Sequence, residues 1–146
     1  MKNSPITPAQ DAALIAAIRA AETRTSGEIR VHLEETCPTP EPLERAAQVF
    51  GELNMHRTAQ RNGVLFYMAW GSRKFAVVGD SAINAAVPDD FWELTKEAVL
   101  HHFRGENYVP GLEAGIRLVG EQLLKFFPYD ATTDQNELDD TISIGQ

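Results

Sequence analysis

Val64-Leu65-Phe66-Tyr67-Met68-Ala69-Trp70 is the longest strongly apolar run in the chain. It shows no alternation of polar and apolar residues, which is how a strand covered on both faces reads. A helix needs about 20 such residues to span a bilayer, so the run does not predict a membrane segment. Gly71-Ser72 permits a tight turn. Lys74-Phe75-Ala76-Val77-Val78 then reads as a returning strand that ends at Gly79-Asp80. The run is therefore expected at the centre of a sheet, with an antiparallel partner on one side.

Upstream, Glu28-Ile29-Arg30-Val31-His32-Leu33-Glu34-Glu35 alternates Ile29, Val31 and Leu33 with Arg30, His32 and Glu34. Period two predicts a strand with one buried and one more polar face. Between these strands lie a proline-rich loop, Pro38 to Pro42, and an amphipathic stretch carrying Leu43, Ala46, Ala47, Phe50 and Leu53. Asn54 is placed to stop that helix. Strand–helix–strand followed by a hairpin gives a mixed sheet.

The flanks read as helices. Thr7-Pro8-Ala9-Gln10 has the cap, the first-turn proline and the residue that completes a capping box. Leu14, Ile15, Ile18 and Ala21 follow at helical spacing, and Thr25-Ser26-Gly27 is turn chemistry. Pro88-Asp89-Asp90 opens another helix, with Asp90 and Glu93 at capping-box spacing and Phe91, Trp92, Thr95, Val99 and Phe103 on its inner face. A last helix begins near Pro110, carries Leu112, Ile116, Val119, Leu123 and Phe127, and stops at Pro128. Its Gly111, Gly115 and Gly120 let a neighbouring element approach closely. The fold class is thus α/β: a mixed β-sheet of three to four strands sandwiched between about four helices. Residues 1–128 read as one domain. Residues 129–146 form an acidic tail in which Ile142 and Ile144 flank Ser143, so an edge strand and a frayed end both stay open.

Composition bounds function. With 21 acids against 13 bases the formal charge is −8. No cluster of lysines and arginines offers the basic footprint that phosphate contacts require, which argues against nucleic acid. An anionic membrane surface is disfavoured for the same reason. One cysteine, Cys37, excludes an intrachain disulfide. It lies beside Pro38, with no neighbour in sequence that would activate its thiol. The N-terminus has no apolar signal region, so a cytoplasmic location is expected. His101 and His102 diverge by about 100° on a helix and form no paired zinc face. A likeness of Asp130 to Asn136 to a calcium loop fails for want of Gly at the sixth place and Glu at the twelfth. There is no P-loop, nucleophile elbow or dinucleotide fingerprint.

Several short pieces occur in a characteristic order. They are Thr25-Ser26-Gly27-Glu28-Ile29-Arg30-Val31, Thr58 with Arg61-Asn62-Gly63-Val64-Leu65, and Arg73-Lys74-Phe75 with Gly79-Asp80. Phe103 to Tyr108 with Gly111-Leu112, and Phe127-Pro128 with Asn136-Glu137-Leu138, complete the set. In this order and spacing the chain resembles the TPM domain family over nearly its whole length. The resemblance implies an α/β sandwich. It further implies a link to membrane-protein maintenance, since plant members are tied to photosystem II repair and animal members to membrane receptors. An acid-phosphatase activity and calcium binding are ascribed to some members.

Topology indicates where a site would lie. Parallel strands start on one edge, and the returning strand ends there. That rim gathers Ser26 and Glu28, then Arg61 and Asn62, then Asp80, with Thr58 approaching from a flanking loop. These are the candidate binding residues. Ligands of open parallel sheets usually sit at the carboxyl ends of strands, where Glu34, Glu35, Trp70, Ser72 and Arg73 fall, but the clustering of family-like residues favours the first rim. Its oxygen chemistry suits calcium or magnesium, with Asp80 and Glu28 as candidate metal ligands. Local roles compete: Asn62-Gly63 as a turn, Asp80 as a cap, Glu28 paired with Arg61. Two functions follow. One is a non-catalytic module binding a protein partner or a small ligand. The other is a metal-dependent, acid-phosphatase-like hydrolase, in which a cation polarises the phosphoryl group.

Overall fold

The apolar run does form the centre of a sheet. A computed structural model describes residues 6–105, 107–129 and 142–145. Strands β1 (Glu28–Glu34), β2 (Gly63–Ala69), β3 (Lys74–Gly79) and β4 (Ser143–Ile144) are ordered β3-β2-β1-β4. β1 runs parallel to β2, β3 returns antiparallel to β2, and β4 adds to the outer edge of β1 in parallel. Every residue of β2 is buried. The sheet is mixed and lies between helices, as the sequence predicts. The tail supplies an edge strand, although only two residues long.

Among the described residues five α-helices and one 3-10 turn cover the sheet: α1 (Pro8–Glu22), α2 (Pro42–Glu52), η1 (Met55–Arg57), α3 (Ser81–Ala86), α4 (Phe91–Phe103) and α5 (Tyr108–Phe126). One face carries α1, α4 and α5. There Leu14, Ile18, Val99, Ile116 and Leu123 pack on Ile29, Val31, Leu33, Val64, Phe66 and Met68. The other face carries α2, whose Ala46, Val49 and Phe50 pack with Met55 on Leu65, Tyr67, Ala69 and Ala76. Two cores thus meet across one sheet. No helix among the described residues is long and apolar enough to cross a membrane.

Local chemistry explains most boundaries. Thr7 and Gln10 form the expected capping box on α1. Asn54 takes the left-handed conformation just past α2, at φ 57°, and its amide bonds the Gly51 carbonyl at 3.0 Å, as a helix stop requires. The three glycines of α5 each meet a different neighbour. A Cβ on Gly111 would lie 2.8 Å from the Phe103 ring, one on Gly115 2.6 Å from Phe66, and one on Gly120 3.1 Å from the Ala21 Cβ.

Several expectations need correcting. Asp90 makes no side-chain cap to α4, so the capping-box reading there fails. The strand ends at Glu34 rather than Glu35, and Trp70 falls in the hairpin loop. That loop has its left-handed residue at Arg73, φ 54°. Gly71 is needed for space instead, since a Cβ would come 2.7 Å from the Glu35 carbonyl oxygen. On α2, Leu43 and Ala47 are exposed, and Val49 takes the inner position. The short helix α3 has no apolar period long enough to be seen in sequence. The polar face of β1 is not solvated: His32 and Glu34 are 5% and 1% exposed. The calcium-loop stretch from Asp130 and the motif residues Asn136 to Leu138 lie outside the described residues.

Candidate functional site

The rim anticipated from topology exists in the register. Glu28 sits opposite Gly63 across the parallel pair, and Val64 sits opposite Gly79 across the antiparallel one. The Asp80 amide then bonds the Gly63 carbonyl at 2.9 Å, which carries β3 to the same rim. Ser26, Asn62, Arg61 and Asp80 are linked there by side-chain bonds, although they lie far apart in sequence.

Two small networks make the links. In the first, Asn62 Nδ2 donates to Ser26 Oγ at 3.2 Å and Ser26 Oγ approaches Gln60 Oε1 at 3.3 Å. Gln60 was not anticipated, being an exposed residue in a polar loop with no motif to mark it. In the second, Arg61 Nε and Nη2 donate to the two carboxylate oxygens of Asp80 at 2.9 and 3.0 Å. Asp80 Oδ1 also accepts the Ser81 amide at 2.7 Å and so caps α3. Burial works against the Asp80 carboxylate, but the Arg61 fork, the Ser81 amide and the nearby charges of Arg61 and His56 outweigh it. They hold its pKa below the ordinary value.

Part of the family-like motif serves the fold. Thr25 Oγ1 donates to the Leu123 carbonyl at 3.0 Å and also bonds the Phe127 carbonyl. The Ser26 amide bonds the Phe127 carbonyl at 2.9 Å. The Leu123 carbonyl already accepts the Phe127 amide at 2.7 Å, and the Thr25-Ser26 turn adds donors to it and to the Phe127 carbonyl, which lies past the last helical residue. A Cβ on Gly27 would lie 2.6 Å from Leu123, so this turn can press onto α5 only with glycine there.

Glu28 is buried, and the pairing expected between Glu28 and Arg61 gives way to the Arg61–Asp80 fork. Thr58 and Asn62 are buried too. Neither Thr58 Oγ1 nor Asn62 Oδ1 has a hydrogen-bond partner. The donor set does not fit a cation held by Asp80 and Glu28. Both Asp80 oxygens are engaged by a guanidinium, and among the described residues no group of three or more His, Cys, Asp or Glu could hold a metal ion.

A stretch matching the TPM domain model covers residues 3–122. The chain belongs to the TPM domain family. Among solved structures similar to this TPM domain is the BA42 protein of the psychrophilic bacterium Bizionia argentinensis. It is 42% identical, with 99% of each chain covered and a TM-score of 0.90. The N-terminal domain of the cg2496 protein from Corynebacterium glutamicum shares the fold at 15% identity, over 81% of this chain and 74% of that one, with a TM-score of 0.65. The N-terminal domain of a P. gingivalis protein does so at 23% identity, over 87% and 83%, with a TM-score of 0.61. No curated protein matches this TPM domain.

The other end of the sheet holds a second polar assembly that periodicity concealed. Glu34 accepts from Arg45 Nε at 2.8 Å, Arg45 Nη2 at 3.0 Å and the Tyr67 hydroxyl at 2.5 Å, and lies 3.1 Å from His32 Nε2. Burial disfavours its charge, yet these donors and the Arg45 charge pull its pKa down to about 2. Burial lowers the His32 pKa below its ordinary value. Burial and the Glu34 bond raise that of Tyr67. Cys37 is nearby. Burial opposes its thiolate, but contacts with Thr39, then Tyr67, then the charge of Lys74 leave its pKa lowered, where the sequence offered no activating neighbour.

Proposed function

We propose that this TPM domain is a binding module that holds an anionic group, of a protein partner or of a small ligand, at the Ser26–Arg61–Asp80 rim without turnover. One observation carries this reading. Arg61 is fixed by Asp80 through Nε and Nη2, while Nη1 makes no described bond and the side chain is half exposed. A guanidinium has five N–H donors in a rigid fork. Asp80 uses two of them and orients the rest outward, where they match a carboxylate or phosphate. His56 and Arg57, both exposed, give this loop a basic surface on a chain of net charge −8.

A phosphatase reading would use the same guanidinium to hold a phosphoryl group, but it also needs a cation or nucleophile that this donor set does not supply. Turnover separates the two. A generic phosphomonoester is offered with magnesium, with calcium and with chelator, to the parent and to Asp80→Asn. In parallel, inorganic phosphate is titrated while the Arg61 Nε–H and Ser81 amide resonances are followed. The expected result is no turnover under any condition, a phosphate-dependent shift at Arg61 Nε–H and at the neighbouring Ser81 amide, and loss of the Ser81 shift in Arg61→Gln. Metal-dependent hydrolysis that Asp80→Asn abolishes would overturn the module reading in favour of the hydrolase. Absence of any shift at millimolar phosphate would remove the anion site itself.

A further inference from the structure

The outer edge of β1 is held by very little. β1 is seven residues long, yet β4 pairs with it only through His32↔Ser143 and Leu33↔Ile144. The seat is nonetheless selective. Ser143 Oγ lies 2.8 Å from His32 Nδ1. The Gly145 amide donates to the Leu33 carbonyl at 2.6 Å. A Cβ on Gly145 would lie 2.6 Å from His32 Nε2 and press on the Glu34 carboxylate as well. Two of three successive positions are therefore read, a hydroxyl against His32 and a residue without a side chain over Glu34, while Ile144 between them lies beside Leu33 and stays exposed.

The wall that reads them is rigid. Glu34 is locked by Arg45 and Tyr67, and His32 is stacked on the Tyr67 ring with centroids 5.9 Å apart. The occupant is lightly attached by comparison. Ile144 is 40% exposed, and Ser143 and Gly145 are half-buried. The helical layers cover the two faces of the sheet, and the tail adds to them only through Ile142, which packs half-buried against the first core. A rigid, selective slot filled by a short, weakly buried strand of the same chain is the arrangement of a strand-accepting edge kept closed in cis.

We propose that the β1 edge is a docking slot for an extended segment of a protein partner that carries a hydroxyl residue and, two positions on, a glycine, and that the tail Ile142–Gly145 is its built-in competitor. The partner strand would add in parallel to β1, seat its hydroxyl on His32 and place its glycine over Glu34. It displaces the tail because both need the same backbone groups of Leu33 and the same face of His32. This slot is independent of the anion rim, which lies at the opposite end of β1.

The test uses the full chain and a labelled peptide of residues 140–146 as probe. Gly145→Val keeps the chain complete but excludes its tail from the slot. Ser143→Pro does the same by removing an amide from the ladder. Competition by a tail that fills the slot most of the time lowers the apparent affinity by the fraction of time it is open, so both variants should bind the peptide about tenfold or more tightly than the parent. A peptide carrying valine at its glycine position should bind none of the three. Amide spectra report whether the tail has left β1 and whether the body stays folded. Peptide that binds neither variant, although their tails are released and their bodies folded, overturns the proposal. A parent chain that exchanges tails between copies, seen as a concentration-dependent dimer that both variants abolish, would make a second copy the occupant and overturn the partner reading.

Discussion

Glu34 shows how one residue can mislead sequence reasoning and still matter most locally. It occupies an outward position of an alternating strand, where a carboxylate normally meets water. Here α2 covers it, and Arg45, Tyr67 and His32 replace the lost hydration. A buried charge is tolerated only when paired and hydrogen-bonded, and removing one partner leaves the others unsatisfied. Glu34→Gln keeps the shape but gives up the charge that faces Arg45. It is expected to destabilise the chain by about 2–3 kcal/mol, seen as a lower urea midpoint with unchanged slope. Period two identified the strand correctly because Ile29, Val31 and Leu33 are apolar. It could not show that the opposite face is also covered, because a satisfied buried network and a solvated surface have the same letters. The rim is a similar case. Topology brought Ser26, Asn62, Arg61 and Asp80 together, but neither the pairing of Arg61 with Asp80 rather than Glu28 nor the left-handed backbone at Arg61, φ 51°, was legible. No residue type announces either.

At the scale of elements, the helices that carry apolar residues at three- and four-residue spacing were legible, and α3 was not. Six residues give fewer than two turns, too few for a period to emerge, and Asp80 reads equally well as a loop acid. Glycine gives a sharper test of how elements pack. Replacing a helical glycine by alanine favours the helix by roughly 0.5–1 kcal/mol where there is room. Gly51 in α2 has nothing within 4 Å of an added Cβ, so Gly51→Ala should raise stability by a few tenths to about 1 kcal/mol. Gly115 in α5 has Phe66 at 2.6 Å and Val99 at 2.7 Å. Overpacking costs about 1–3 kcal/mol and outweighs the helix gain, so Gly115→Ala should lower stability by about 1–2 kcal/mol. Urea unfolding of the two variants against the parent checks both signs. Two gains would mean that α5 stands farther from β2 than described.

Across the whole molecule, one sheet separates two cores, and β2 is paired along nearly its whole length by β1 on one side and β3 on the other. Its amides should exchange slowest with solvent, at the free energy of global unfolding, while those of β4 exchange through local opening. Protons couple to the same architecture through the second polar assembly. The folded His32 has a pKa below 6.5, so as pH falls below that value the unfolded chain takes a proton that the folded chain refuses. The folded Glu34 stays ionised down to about 2, whereas the unfolded residue protonates near 4.5. In both cases the unfolded state binds more protons, so stability rises with pH and is lost on acidification. His32 acts first, below pH 6.5, and Glu34 follows between about 4.5 and 2. The Glu34 part alone would amount to at most about 3 kcal/mol. Urea midpoints measured from pH 8 downward should fall in these two stages. His32→Gln should flatten the upper stage and leave the lower one, and Glu34→Gln should flatten the lower. A midpoint that holds level from pH 8 to 4 would mean that His32 is not buried as described, and one that also stays level below pH 4, or rises on acidification, would mean the same of Glu34. The cover on the second face of the sheet would then have to be redrawn.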